Sequence, residues 1–213
     1  MSFYFIKTPK IVASFYKSYI WYHKTEKKEV YLTFDDGPTP KVTEFVLDTL
    51  KEYRVKATFF CLGKNIEKYP ELFNRIIEEG HTVGNHTQNH LNGWKTKIDK
   101  YITNVEKCQK IINSKIASTT IKLFRPPYGR IKVKQAKQLL NKGYRIVMWS
   151  VLSADFDIKI TKEKCLENVT KNTKKGDIIV FHDSEKAFER LQYALPKTLN
   201  CFLEKGFCFS AII

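Results

Sequence analysis

The stretch Val30-Tyr31-Leu32-Thr33-Phe34-Asp35-Asp36-Gly37-Pro38 joins an apolar run to two neighbouring carboxylates and a turn. Neighbouring side chains on a regular strand point to opposite faces, so the two carboxylates converge on one ligand only if the strand ends there. Gly37 and Pro38 predict that end, because glycine adopts unusual backbone angles and proline donates no hydrogen bond to a sheet. An ordinary turn after a strand explains the same residues, and the rest of the chain decides between the two interpretations.

Short apolar runs alternate with amphipathic helical stretches along the chain. Seven runs are predicted strands, at 30–34, 57–62, 81–84, 121–124, 145–149, 177–181 and 208–213. Six stretches are predicted helices, at 41–53, 66–79, 98–112, 132–142, 162–173 and 188–205. Strands that alternate with helices predict a parallel sheet built from βα units. No linker divides the sequence, so we expect a single α/β domain.

The bulk composition is that of a basic globular protein. The 213 residues carry a formal net charge of +15, which would suit nucleic acid, an anionic membrane or an acidic polymer. The lysines are scattered and no arginine-rich stripe is present, so we expect a solvated basic surface and no specific nucleic-acid partner. The five cysteines are odd in number and include no CxxC pair, so a disulfide scaffold is not expected.

The first 28 residues differ in character from the rest. Residues 1–22 are rich in aromatic side chains and carry Lys7, Lys10 and Lys17, but no cleavable signal peptide is evident. No apolar run approaches the length needed to span a membrane. We expect residues 1–28 to form an amphipathic segment packed on a domain of residues 29–213. Peripheral contact with an anionic membrane is the alternative.

A pair of histidines has the same placement as the pair of aspartates. His86 and His90 are four residues apart, a spacing that one helical turn brings to one face, and they follow the run 81–84. Other candidate side chains also follow predicted strands, namely those of 125–128, 149–156 and 182–183. Parallel α/β barrels build their sites at the C-terminal ends of their strands, so this clustering predicts a functional site.

The residue types indicate a particular chemistry. Two neutral imidazoles and one carboxylate suit Zn²⁺ or a similar divalent ion, with positions left open for water and substrate. The other aspartate is then free to act as a base, and Arg125 keeps that base ionised. His182 would protonate a leaving group from the opposite side. The set predicts metal-assisted hydrolysis of an acyl bond.

The chain resembles the polysaccharide deacetylases, carbohydrate esterase family 4, which share a nodulation-type (NodB) homology domain. The matching motifs are Thr-Phe-Asp-Asp-Gly-Pro at 33–38, His-Thr-Gln-Asn-His at 86–90, Arg-Pro-Pro-Tyr at 125–128 and Val-Phe-His at 180–182. The resemblance covers residues 29–213. It implies a distorted (β/α) barrel of seven or eight units that removes acetyl groups from carbohydrates, most often from N-acetylglucosamine units.

The resemblance also implies roles for the first group of residues. Asp35 would be the base, and Asp36, His86 and His90 would hold one divalent metal. Zn²⁺ is the expected metal, with Co²⁺ or another divalent ion as the alternative. Arg125 would orient Asp35.

A second group of residues would act on the carbonyl oxygen and on the leaving amine. The backbone N–H of Tyr128 would face the developing oxyanion, and His182 would be the general acid. The fourth family motif reads Asp-x-x-Asp-Trp, whereas residues 152–156 read Leu-Ser-Ala-Asp-Phe. Leu152 accepts no hydrogen bond, so we expect His182 to lack that orienting partner, with Asp155 as the substitute. The expected groove residues are Pro127, Trp149, Asp155 and Phe156.

The sequence alone leaves alternative functions, the exact substrate and the cellular location open. A hydrolase of the same fold acting on another C–N bond is one alternative, and a noncatalytic glycan- or nucleic-acid-binding module is another. The substrate is expected to be an acetylated glycan, with N- or O-linked acetyl groups. We expect a monomer that is cytoplasmic or membrane-peripheral, with the bacterial envelope as the alternative location.

Overall fold

The computed structural model describes residues 4–116 and 121–213. Residues 1–3 of the expected N-terminal segment lie outside these ranges. The strands are β1 Glu29–Asp35, β2 Thr58–Cys61, β3 Thr82–Asn85, β4 Lys122–Phe124, β5 Tyr144–Ile146, β6 Val151–Leu152, β7 Ile178–His182 and β8 Cys208–Ser210. The helices are α1 Lys10–Phe15, α2 Val42–Glu52, α3 Gly63–Lys68, α4 Pro70–Glu78, α5 Ile98–Lys115, α6 Val133–Asn141, α7 Lys162–Thr170 and α8 Phe188–Glu204. Two 3₁₀ turns span Gly93–Lys95 and Pro127–Gly129.

All strands pair in parallel in one curled sheet. Their order is β5-β4-β3-β2-β1-β7-β6, and β8 pairs with the first part of β1. The central strands read as nearly continuous apolar runs because helices cover the sheet, as is usual for parallel sheets. The rings of Phe34, Phe59 and Phe181 stack side by side across β2, β1 and β7. The prediction of an α/β distorted barrel is confirmed.

The N-terminal residues run along the opening between the two end strands of the sheet. Strands β5 and β6 do not pair with each other in the described ranges. Instead, the N–H of Ile20 donates to the carbonyl of Ile146 at 2.8 Å, and the N–H of Leu152 donates to the carbonyl of Ile6 at 2.9 Å. These bonds cover strand edges that would otherwise be open to another chain. The division of the chain at residue 28 stays a prediction.

Helix α1 lies between these two contacts along the chain. It is a six-residue helix within the segment predicted to be amphipathic. Ile11 is 66% and Phe15 is 77% exposed, while Val12 and Ala13 pack on the cluster that contains Trp21. Peripheral contact with an anionic membrane stays a prediction. None of the helices in the described ranges combines the length and apolarity needed to cross a bilayer.

Two details of the secondary structure differ from the sequence-based expectation. The single helix predicted at 66–79 is two helices, since Pro70 begins α4 and cannot donate the backbone bond that would continue α3. The two-residue strand β6 was not expected, because two residues carry no periodic signal. It pairs with Ile179 and Val180 of β7 and positions the loop that follows it.

Candidate active site

Strand β1 ends where the first motif predicts. Asp35 is its last residue and lies in register with His182 of β7 and Phe60 of β2. Asp36 has a φ of 85°, so the chain turns there and both carboxylates lie at one end of the sheet. The turn is crowded: a Cβ at Gly37 would lie 1.9 Å from a carboxylate oxygen of Asp183. Only glycine fits this approach.

Asp36, His86 and His90 form a compact three-residue group. Oδ1 of Asp36 lies 3.6 Å from Nε2 of His86 and 3.2 Å from Nε2 of His90. One ligand atom from each residue lies within 4.8 Å of the others. Oδ1 of Asp36 is buried and accepts no hydrogen bond in the described part of the protein, so it is an orphaned acceptor aimed at this group. Two imidazoles and a carboxylate with such an acceptor fit a divalent cation such as Zn²⁺.

A backbone contact fixes the orientation of His86. Its Nδ1 lies 2.8 Å from the carbonyl oxygen of Arg125. A carbonyl acceptor places the proton on Nδ1, which leaves the Nε2 lone pair facing Asp36. The structure therefore presents His86 in the tautomer that a metal ligand needs.

The two histidines do not lie on a helix, contrary to the expectation from their spacing. Residues 86–90 form a loop in which Thr87 and His90 have φ values of 70° and 57°. Asn85 shapes this loop: its Oδ1 accepts from the N–H of Thr87 at 2.8 Å, and its Nδ2 donates to the carbonyl of Val105 at 2.8 Å. Asn85 is a structural residue of the site that sequence reasoning missed.

The electrostatics of the group favour deprotonated ligands. Burial opposes the charge of Asp36, but the close contact with Nε2 of His90 and the positive field of His182 outweigh it and lower the pKa of Asp36 below its usual range. Burial lowers the pKa of His86 to about 4. A carboxylate and a neutral imidazole are the protonation states that bind a metal.

Arg125 is the hydrogen-bonding partner of Asp35. Nη1 of Arg125 donates to Oδ1 of Asp35 and to the hydroxyl of Thr33, both at 2.7 Å. Its other nitrogens donate to the carbonyls of Val147 and Met148, so the fully buried guanidinium is fixed on several sides. A charge-assisted bond of this kind fixes the position of the carboxylate.

Asp155 is the partner of His182. Oδ1 of Asp155 lies 2.8 Å from Nδ1 of His182, and Oδ2 accepts the backbone N–H of the same residue at 2.7 Å. Arg190 donates to the carbonyl of Asp155 at 2.7 Å and holds the loop. Leu152 is a buried apolar residue of β6. Leu152 offers His182 no acceptor, and the orienting carboxylate is that of Asp155, the residue expected as the substitute.

The Asp155 carboxylate governs the charge of His182. Burial alone would lower the pKa of His182, but the charge of Asp155 and its hydrogen bond outweigh burial, and Asp35 and Asp36 add to the effect. Together they raise the pKa of His182 from 6.5 to about 9. The side chain is therefore cationic at neutral pH and able to donate a proton.

Replacing Asp155 with asparagine should lower the pKa of His182 well below about 9 in the metal-free protein, because burial is then opposed only by the charges of Asp35 and Asp36. A raised histidine pKa stabilises the fold fully below pH 6.5, and that stabilisation disappears as the pH rises toward 9. We expect the stability gap between the parent protein and Asp155→Asn to shrink between these pH values. Urea unfolding at a series of pH values measures the stability gap, and histidine NMR titration measures the pKa of His182. A gap that stays constant across this pH range contradicts the assignment of Asp155 as the partner that raises the pKa of His182.

The remaining expected residues surround this end of the sheet. Tyr128 is 60% exposed, with its hydroxyl 3.1 Å from Nδ1 of His90. Pro127 is buried beside it. Trp149 is partly exposed and lies 5.9 Å from the Arg125 guanidinium, and the ring of Phe156 meets that of His182 edge-on at 5.0 Å. All the sequence-predicted site residues therefore come from the same end of the sheet.

Asp183 is a second residue that sequence reasoning left without a role. It is buried, and it accepts hydrogen bonds from the N–H of Gly37 at 2.9 Å and from the hydroxyl of Thr43 at 2.6 Å. Burial raises its pKa to about 8. Its bonds hold the turn that follows Asp36. The only signal in the sequence is an acidic residue directly after His182.

The comparisons with known proteins decide the family. A model described as polysaccharide deacetylase matches residues 22–147, which is more than half of the chain. The chain belongs to the polysaccharide deacetylase family. The resemblance read from four short motifs is thereby confirmed.

Named relatives of this polysaccharide deacetylase include two peptidoglycan-N-acetylglucosamine deacetylases from Bacillus cereus. One is 42% identical over 158 residues, which are 74% of this chain and 57% of the relative, so the chain spans little more than half the length of that protein. The other is 33% identical over 193 residues, which are 90% of each. The crystal structure of the Bc1960 peptidoglycan N-acetylglucosamine deacetylase has a TM-score of 0.88 and 36% identity, covering 96% of this chain and 95% of that chain.

Proposed function

We propose that this polysaccharide deacetylase hydrolyses the acetamide of N-acetylglucosamine units in a glycan, releasing acetate and leaving a free amine. The observation that carries the proposal is the convergence of three groups at one end of the sheet. These are the Asp35–Arg125 pair, the three-residue group Asp36, His86 and His90, and the His182–Asp155 pair. The names of the relatives support N-linked acetyl groups and peptidoglycan as the substrate class.

Asp36, His86 and His90 would hold the divalent cation. Bound there, the cation would supply a Lewis acid for the acetyl carbonyl and would make water a better nucleophile. Zn²⁺ is the proposed ion, because two imidazoles and one carboxylate with open positions are a common catalytic zinc set. Co²⁺ or another divalent ion is the alternative.

Asp35 would be the general base. It lies beside the three-residue group and is oriented by Arg125, whose Nη1 donates to it at 2.7 Å. It would take one proton from the attacking water as the new C–O bond forms to the acetyl carbon. The negative charge that develops on the carbonyl oxygen would be met by the backbone N–H of Tyr128, on the 3₁₀ turn beside His90.

His182 would be the general acid. It would give its proton to the amide nitrogen as the C–N bond breaks, which produces the free amine. Asp155 fixes the ring and favours the cationic form. Asp35 and His182 are register partners on adjacent strands, so base and acid would act from neighbouring positions.

The rim of the site would bind the sugar. Trp149 and Phe156 are proposed as groove residues, with Phe156 providing an apolar wall beside His182. Pro127 and Asp155, which the sequence also placed in the groove, are buried and are not proposed to contact the sugar. A noncatalytic binding module would have no use for a base, a cation-binding group and an acid together, which argues against that alternative. The monomeric state and the cellular location stay predictions.

A panel of acetylated glycans tests the proposal. We expect acetate release from N-acetylglucosamine polymers, loss of that release after treatment with a chelator, and recovery when Zn²⁺ or Co²⁺ is added. Acetate measured with a coupled assay gives the rate, and mass spectrometry of the glycan gives the loss of acetyl groups. An untreated and a metal-depleted protein with the same rate would contradict the role of the metal. Ring-opened cyclic amide without acetate would instead favour the other C–N hydrolase.

A further inference from the structure

Trp94 is an exposed aromatic side chain that is nonetheless fixed in place. The ring is 60% exposed, yet its Nε1–H donates to the carbonyl of Ile131 at 3.1 Å. Its backbone N–H donates to Oδ1 of Asn92 at 3.0 Å, which caps the short 3₁₀ turn. Burying its exposed area would be favourable, and its one donor is already satisfied, so the face of the ring is the part available to a ligand.

Arg130 lies over this ring. Its guanidinium carbon is 5.2 Å from the ring centroid, a distance typical of a cation–π contact. Within the described ranges, Arg130 forms no ion pair with a carboxylate. The two segments around it, 89–100 and 128–138, contain seven basic residues and one acidic residue. A fixed arginine without an acidic partner in such surroundings is suited to an anion.

The Trp94–Arg130 pair is connected directly to the candidate active site. The N–H of Gly93 donates to the carbonyl of Arg130 at 3.1 Å, and a Cβ at Gly93 would lie 2.4 Å from that oxygen. The two segments are therefore packed too closely to shift apart independently. Tyr128, two residues before Arg130, meets His90 with ring centroids 4.5 Å apart. Tyr128 and Trp94 are both exposed, and the segment from Tyr128 to Ile131 joins the three-residue group to the Trp94–Arg130 pair.

We propose that Trp94 and Arg130 form a flanking subsite for a neighbouring sugar unit that carries a carboxylate. Trp94 would cover the apolar face of the sugar ring, and Arg130 would bind the carboxylate through its paired N–H donors. Within the substrate class already proposed, the subsite would favour strands in which the unit next to N-acetylglucosamine carries a free carboxylate. This inference rests on the proposed function, because it extends the same glycan site.

The test compares three substrates that differ in charge. They are peptidoglycan glycan strands freed of peptide, the same strands with their carboxylates converted to methyl amides, and a neutral chitin oligomer. We expect Arg130→Gln to reduce kcat/KM on the acidic strands about tenfold, through KM, and to leave the rate on the other two unchanged. Lys95→Gln is the matched control, because Lys95 is an exposed cation in the adjoining turn. Equal losses on all substrates, or an equal loss in Lys95→Gln, overturn the proposal.

Variants of Trp94 separate stacking from charge. We expect Trp94→Ala to raise KM on both the acidic and the amidated strands, and Trp94→Phe to restore most of the binding. Circular dichroism confirms that these exposed substitutions leave the fold intact. A Trp94→Ala protein with unchanged KM on both strands overturns the stacking role.

Binding measurements without turnover distinguish the Trp94–Arg130 subsite from the proposed deacetylase function. Calorimetry of acidic strands with Asp35→Asn and with the double variant Asp35→Asn/Arg130→Gln reports the subsite alone. We expect the double variant to bind acidic strands about tenfold more weakly and to lose most of the salt dependence. If no substrate yields acetate but this difference persists, the proposed function fails and the subsite stands. If acetate is released but the difference is absent, only the subsite fails.

Discussion

We expect the replacement of Asp35 with asparagine to reduce acetate release by about 10³-fold and to leave divalent-metal binding intact. General-base catalysis contributes typically 10²–10⁴-fold, and an amide of the same shape accepts no proton. Asp35 is not among the three residues that would hold the metal, so the metal affinity serves as an internal reference. Acetate release and metal affinity are measured on the same preparation.

The control for Asp35→Asn has to separate lost chemistry from lost stability. Arg125 is fully buried, and removing a charged partner from a buried pair costs roughly 3–5 kcal/mol. The assay is therefore run at a temperature at which circular dichroism shows the variant folded. Asp99→Asn, at an exposed position of α5, is the matched substitution and should keep full activity. A folded Asp35→Asn protein that retains a tenth of the parent rate contradicts the role of Asp35.

The second large effect is expected at the metal group. We expect His86→Ala to lose at least about 100-fold in Zn²⁺ affinity and nearly all acetate release, since removing even an indirect supporting partner of a metal ligand typically costs 10–100-fold. His86 combines a buried position, a fixed tautomer and a low pKa. Competition with a chromophoric chelator gives the affinity, and the visible spectrum of Co²⁺ reports the ligand set.

His23→Ala is the matched control for the metal experiment. His23 is a half-buried histidine whose ring packs on Tyr31, away from the three-residue group. We expect it to leave the Zn²⁺ affinity and the Co²⁺ spectrum unchanged. An unchanged spectrum in His86→Ala would remove His86 from the ligand set and would leave acetate release to be explained by other residues.

The sequence predicts the positions of the site residues better than it predicts their geometry. Asp35, His86, Arg125 and His182 each follow an apolar run in the sequence. Because the C-terminal ends of parallel strands lie at the same end of the sheet, this sequence position alone brings the four side chains together. The loop of His86 and His90 is not predictable from spacing, because its two left-handed residues are set by Asn85 and its long-range bond to Val105.

The hydrogen-bonding partner of His182 is a second feature whose geometry the sequence does not determine. Comparison with the motif shows that Leu152 lacks an acceptor and offers Asp155 as a substitute, and the structure shows that Asp155 makes the contact. The direction of that carboxylate depends on the left-handed turn at Ala154 and on Arg190, which lies on a distant helix. Pattern matching identifies which residues are present, but only the folded loop shows which of them reaches the imidazole.

The N-terminal segment has a consequence for the order of folding. Residues 6–20 pair with residues 146–152, so their hydrogen-bonding partners are made only after about two-thirds of the chain has left the ribosome. Domains generally begin to fold during synthesis, and this sheet can assemble from β1 to β5 while its first residues still have no site to occupy. Residues 6–20 are thus made before the strands whose edges they cover, yet they take their place after them.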